Sequence, residues 1–383
     1  MRTLITNGNI ITPETSLHNH TLIIEDNKIV SISCGEVLAG DNDRMIDAQG
    51  YRVTPGLIDI HVHGAMGYDT MDASPEAIKA MGTHFASHGV TSYLPTTMSS
   101  TPSAIRKAIN NLVDCSKPEN GAYHMGVHVE GPYLNPSQKG AQSEHILRDA
   151  DPSEYEYWME SGILKLVSLA PERNGSLEFI DRGIMKGVEF SLAHSGATYE
   201  QVIEAANHGL RQATHVFNGM IGLHHRKPGT VGGVLTDDRI YAQVIADGVH
   251  VHPAVLRLLV CAKGISRTIL ITDAIRATGL KDGIYTLGDD KITVKNGISR
   301  TAAGGLAGST LNMDAAIRNM IDFTGLSFEE VLPMGTSVPA KAMKWFGEKG
   351  VLQPGADADI VIFDNNLHVH LTMVSGQVVF REN

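Results

Sequence analysis

Two histidines separated by one residue, His61 and His63, stand near the end of a short apolar run, Leu57, Ile58, Ile60 and Val62. Side chains alternate faces along a strand, so positions i and i+2 point the same way. Two imidazoles on one face can grip one metal ion, and they suit zinc, iron or nickel. In a chain with 18 histidines, such a pair alone is more often a polar strand end than a pair of ligands, because a metal needs three or more convergent ligands. Further candidates occupy comparable places. Glu130 closes the run Val127-His-Val-Glu, His194 follows Leu192-Ala193, His215 follows Ala213-Thr214, Asp247 follows Ile245-Ala246, and Asp273 follows Ile271-Thr272.

The elements that must carry these residues are legible as apolar runs. Strands are expected over 57–62, 90–94, 124–129, 164–169, 188–193, 210–215, 240–246 and 268–272. Pro55-Gly56 and Gly64 punctuate the first of them. Helix-like stretches lie between most. Ser74 with Pro75 reads as a helix start, and Thr198 and Gly209 read as the cap and stop of another. Eight strand–helix units predict an α/β fold, a (β/α)8 TIM-like barrel. A doubly wound sheet is the competitor, but no Gly-x-Gly-x-x-Gly follows an early strand. Barrel active sites form at the C-terminal strand ends. Histidines, a glutamate and an aspartate on that rim therefore predict a metal site.

Both chain ends are β-rich. Leu22–Glu25 with Lys28–Ile32, and Met373–Val374 with Gln377–Phe380, read as hairpins, and Asp359–Phe363 as a strand. We expect residues 1–52 and 351–383 to pair into a small β-sandwich domain around the 53–350 barrel.

The net charge is −11, with 31 basic and 42 acidic residues. That argues against nucleic acid or an anionic membrane as a partner for the whole surface. Cys34, Cys115 and Cys261 are scattered and odd in number, which gives no disulfide framework and no cysteine zinc motif. No signal peptide and no apolar stretch of membrane-spanning length are apparent, so a cytoplasmic protein is expected.

His61-x-His63, Glu130, His194, His215 and Asp273 resemble the amidohydrolase superfamily. Longer runs are more specific: His128-Val-Glu-Gly-Pro-Tyr-Leu-Asn135, Thr214-His-Val-Phe-Asn-Gly-Met220, His224-His-Arg-Lys-Pro-Gly229, Ala246-Asp-Gly-Val-His250, Ile271-Thr-Asp-Ala274 and Leu306-Ala-Gly-Ser309. Together they resemble the N-acetylglucosamine-6-phosphate deacetylase family along the whole chain, including the closing Gly355-Ala-Asp-Ala-Asp-Ile-Val.

The resemblance implies a hydrolase that removes the acetyl group of an amino-sugar phosphate. It implies Glu130, His194 and His215 as core metal ligands, His61 and His63 as the pair found where two metals bind, and Asp273 as catalytic base and possible ligand. One or two divalent ions per chain are implied, and zinc, iron, manganese and cobalt all tolerate this donor set. Arg226 matches the family's phosphate residue, Asn218 and Gly219 the same pocket, and His250 a sugar contact. Ala141, Gln142, Leu306, Ala307 and Gly308 complete the implied substrate site. Some of these contacts cross a dimer interface in the family, so a homodimer is implied. One departure stands out: many relatives carry a histidine where this chain has Gln142, which can donate a hydrogen bond but carries no charge. A second ion held by His61 and His63 is the expected compensation. N-acetylgalactosamine 6-phosphate is a close alternative substrate. A cyclic amidase or deaminase of the same superfamily is a more distant one, since neither needs a phosphate clamp.

Overall fold

The structure, a computed structural model, describes residues 2–12, 15–35, 37–115, 120–288 and 290–382. Its centre is a ring of parallel strands: β1 (Leu57–Val62), β2 (Val90–Thr97), β3 (Val127–Glu130), β4 (Leu164–Leu169), β5 (Glu189–Leu192), β6 (Gln212–Ala213), β7 (Tyr241–Val244) and β8 (Thr268–Leu270). Each pairs in parallel with the next. Between β8 and β1 the ring closes just past the strands. Asp273 N donates to His61 O at 3.0 Å, and His63 N to Ala274 O at 2.8 Å. This is the expected (β/α)8 barrel. Its strands are apolar runs because helices cover the wall outside and side chains fill it inside; every residue of β1 and β2 is buried.

The expected strand 124–129 is broken. Tyr123–His124 and β3 pair separately with β2. Gly126 lies between them at φ 132°, where a Cβ would come within 2.3 Å of Ile163 O. No L side chain fits that bend.

The helix starts follow the sequence signals. Ser74 accepts from Ala77 N at the head of Pro75–Ser87, and Thr198 caps Tyr199–His208, which Gly209 ends in a left-handed turn. Inside the barrel the polar groups satisfy one another. His128 Nε2 lies 2.7 Å from Ser168 Oγ, which lies 2.7 Å from Thr214 Oγ1, itself 2.6 Å from Ser191 Oγ. Burial pushes the His128 imidazole well below its usual range and keeps it neutral.

The two chain ends share a sheet, eight-stranded among the described residues. Arg52–Pro55 pairs antiparallel with Ile360–Phe363, joining first part to last. Strand Arg2–Ile11 pairs along one edge with Arg44–Asp47 and then with Arg52–Pro55. The sheet divides there and folds over Ile5, Ile10, Leu22, Ile24, Val53, Ile360 and Ile362 as the small sandwich.

A second antiparallel sheet follows β8, built from Gly283–Leu287, Asp290–Lys295 and Ile298–Thr301. Sequence reading had no place for it. Its signal is there, since Ile292 and Val294 alternate with exposed neighbours. Its last strand leads into Gly305–Gly308 at the barrel mouth. No helix among the described residues is long and apolar enough to cross a membrane.

Candidate metal and substrate site

The strand ends bring the expected ligands to one point. His61 and His63 share a face of β1 and its extension, and their Nε2 atoms are 3.2 Å apart. Glu130 ends β3 and lies between two groups. Its Oε1 is 3.2 Å from His215 Nε2 and 3.6 Å from His194 Nε2, while its Oε2 is 3.4 Å from His63 Nε2. Asp273 Oδ1 faces His61 Nε2 at 3.4 Å and His63 Nε2 at 3.3 Å. Two donor sets result, His61–His63–Asp273 and Glu130–His194–His215, each with its ligand atoms within 4.8 Å of one another.

Three of these residues are held in the left-handed region: His194 at φ 43°, His215 at 33° and Asp273 at 51°. Such backbone costs about 1–3 kcal/mol per residue and persists only where neighbours enforce it. Here Asn135 N donates to His194 O, Asn218 N to His215 O and Ser309 N to Asp273 O. Each strand thus turns sharply at its end and aims a side chain across the barrel mouth.

The donor set fits a cation. His194 Nδ1 lies 2.9 Å from Gln138 O and His63 Nδ1 3.2 Å from Thr96 O. A ring that donates from Nδ1 presents a bare Nε2 lone pair when neutral. Both Nε2 atoms then face carboxylates, an arrangement that a positive charge stabilises, whether a bound cation or a proton on the ring. Burial opposes the charge on Glu130, but His61, His194, His215 and His63 hold its carboxyl well below the usual range. Burial drives His61 down to about 4, whereas equally buried His63 is raised because Asp273 and Glu130 both hydrogen-bond it. Buried Nδ1 atoms of His61 and His215 have no hydrogen-bond partner.

Above the donors opens a cavity of about 330 Å³. It is lined by His63, Glu130, Ala141, Gln142, His194, His215, Asn218, Gly219, His250, Asp273, Leu306 and Gly308 from the sequence-based expectation. Met98, Gly140, Ile245, Leu287, Thr301 and Gly305 are additions, and Leu287 and Thr301 come from the sheet that sequence reading passed over. His61 lies beneath the cavity floor, fully buried, and Ala307 packs behind the wall with Met98, Ile275 and Leu287. His250 Nδ1 lies 2.6 Å from Asp247 Oδ2, which fixes the ring; burial opposes the Asp247 charge, but His250 holds the carboxyl below its usual range.

Arg226 does not reach this cavity. It is exposed, with Nη1 2.7 Å from His225 Nε2, in the exposed stretch 221–227. Glu172, just past β4, is a supporting residue that sequence reading missed. It accepts from Ser195 Oγ at 2.7 Å, Gly196 N at 2.6 Å and Asn135 Nδ2 at 2.9 Å, tying the His194 turn to the loop after β3. Its position at the end of the fourth strand was the available signal.

Residues 52–379 match the Amidohydrolase family. The chain is 39% identical over 372 residues to N-acetylgalactosamine-6-phosphate deacetylase of Escherichia coli O157:H7, covering 96% of this chain and 97% of that protein. It is 35% identical over 377 residues to N-acetylglucosamine-6-phosphate deacetylase of Bacillus subtilis (strain 168), covering 97% and 95%. Among solved structures, N-acetylglucosamine-6-phosphate deacetylase from Pasteurella multocida superposes with a TM-score of 0.94 at 30% identity, covering 99% of both chains.

Proposed function

The chain belongs to the amidohydrolase family and, within it, to the N-acetylglucosamine-6-phosphate deacetylases, and we propose on that premise that it hydrolyses the acetamide of N-acetyl-D-glucosamine 6-phosphate to D-glucosamine 6-phosphate and acetate. One observation carries the reading: four imidazole Nε2 atoms and two carboxylates converge at the floor of a single sugar-sized cavity.

His61, His63 and Asp273 would hold one divalent ion, and Glu130, His194 and His215 another. Such an ion, whether zinc, iron, manganese or cobalt, supplies a more acidic water and a polarised amide carbonyl. Asp273 takes a proton from the attacking water as its oxygen adds to the acyl carbon. It returns that proton to the nitrogen as the C–N bond breaks, so acetate and a free amine leave. Asn218, the backbone N–H of Gly219 and His250 bind the sugar phosphate at the other end, with Ala141, Leu306 and Gly308 shaping the walls and Ala307 packed behind them.

Arg226 lies outside its own chain's cavity, so its phosphate role belongs to a homodimer in which it enters the neighbour's cavity. Its planar fork suits phosphate. We read 53–350 as the catalytic barrel, 1–52 with 351–383 as the small domain, and the whole as a cytoplasmic enzyme of amino-sugar metabolism.

The 39% identity to the galactosamine enzyme favours a second reading, the C4-epimeric substrate N-acetylgalactosamine 6-phosphate. Turnover of both sugar phosphates, hydantoin and adenine by one metal-loaded preparation tests the proposal. We expect hydrolysis of the glucosamine compound with the highest kcat/KM. A higher value for the galactosamine compound selects the second reading, and turnover of hydantoin or adenine alone overturns both.

A further inference from the structure

We propose that Gln142 is a positioning residue that fixes the Glu130 carboxylate between the two donor sets. Its side chain is buried and lines the cavity, and both of its polar atoms are engaged with protein. Nε2 donates to Glu130 Oε2 at 3.0 Å, and Oε1 accepts from Ser99 N at 3.2 Å. This orientation of the amide is forced. A backbone N–H only donates and a carboxylate only accepts, so the flipped amide would lose both bonds. One N–H of Gln142 remains, and the other two bonds fix its direction.

The consequence falls on Glu130. Its Oε1 faces His215 and its Oε2 faces His63. Rotation about the last side-chain torsion would move Oε2 off the His61–His63–Asp273 set, and the bond from Gln142 opposes that rotation. The same loop orients the other set, because Gln138 O accepts from His194 Nδ1. The loop is itself pinned beside Ser99. Arg148 Nη1 donates to Ser100 O at 3.0 Å, and Arg148 Nε to Glu154 Oε1 at 3.0 Å. A glutamine here thus serves a chain with a complete His-x-His pair. It supplies a neutral donor that shares Glu130 without bringing a further positive charge beside the cations that the two donor sets would hold.

The inference rests on the reading that both donor sets take metal. Its test is a Zn²⁺ titration of chelator-stripped protein, with ions per chain counted by elemental analysis, for wild type, Gln142→Met and Gln142→Asn. Met keeps the length without the hydrogen bonds, and Asn keeps the amide without the reach. Wild type should take up two ions. Both variants should keep one as tightly and bind the other about 10–100-fold more weakly, the cost of losing a group that orients a ligand. Should the Met variant fail to fold, the Asn variant carries the same comparison. Two ions held as tightly as in wild type, with a raised KM, would show Gln142 to be a substrate contact and overturn the inference. A wild type that takes up one ion overturns the two-set reading itself, which is a different result.

Discussion

Asp59 on β1 and Thr272 just past β8, 213 residues apart in sequence, are joined by a 2.6 Å hydrogen bond from Thr272 Oγ1 to Asp59 Oδ2. Asp59 also accepts from His61 N at 3.2 Å and Thr272 N at 3.4 Å. The buried carboxylate therefore spans the barrel seam and holds together the backbones that present His61 and Asp273.

Asp59→Ala should leave these buried donors unpaired, at about 1–3 kcal/mol for a buried polar group that loses its partner. Thermal unfolding should move down by several degrees, and metal content should fall with it. An unchanged melting temperature and full metal content would remove Asp59 from the support of the site.

Asp273→Asn should keep the fold and lose turnover by about 10²–10⁴-fold, the usual share of acid–base catalysis. The carboxylate stands at the rim within 3.4 Å of both His61 and His63. Steady-state kcat on N-acetylglucosamine 6-phosphate checks this, and a near-wild-type value excludes Asp273 as the base.

Replacing His61 and His63 together by alanine should remove one ion and most activity, while Glu130, His194 and His215 keep the other ion. The motivation is the separation of the donors into two sets. Full activity at one ion per chain would make the His61–His63 site dispensable.

Arg226→Ala should raise KM for the phosphorylated sugar far more than for the unphosphorylated one, because the contact binds ground and transition states alike. Since Arg226 lies outside its own cavity, mixing Arg226→Ala with Asp273→Asn should restore activity. Heterodimers would then carry one site with both residues intact. No gain on mixing, after subunit exchange is verified, would argue for action within one chain.

Lys349 holds Asp357 at 2.8 Å and Asp359 at 2.6 Å where the barrel meets the terminal sheet, and Lys28 adds a 2.7 Å pair to Asp357. Burial raises the Asp357 carboxyl, but Lys28 and Lys349 bring it below the usual range, so its contribution is complete above about pH 4 and lost as pH falls further. Burial lowers Lys349, but Asp359 and Asp357 raise it, so its contribution is complete below about pH 10 and lost as pH rises through the folded value. Lys349→Met should destabilise by about 3–5 kcal/mol at neutral pH, because buried carboxylates lose their cation. It should also flatten both limbs of the stability profile. Urea unfolding across pH checks both, and a variant as stable as wild type would show the cluster to be dispensable.

The sequence by itself determined the candidate ligand types, their places at strand ends and the parts of the barrel. Period-two spacing puts His61 and His63 on one face, and apolar runs ending in Glu130, His194, His215 and Asp273 mark a common rim, because these are properties of adjacent residues. The joining of the chain ends was legible for the same reason, and Arg52–Pro55 does pair with Ile360–Phe363. Tertiary structure decided how those candidate ligands meet. The left-handed turns at His194, His215 and Asp273 are strained conformations that local propensity disfavours and only packing enforces. Gln142 meets Glu130 and Ser99, Asp59 meets Thr272, and Glu172 meets Ser195 through contacts between distant parts of the chain. Arg226 is the reverse case. The family resemblance implied phosphate binding, which its residue type suits, but the fold of one chain sets it on the surface, and no pattern in the neighbouring residues carries that distance.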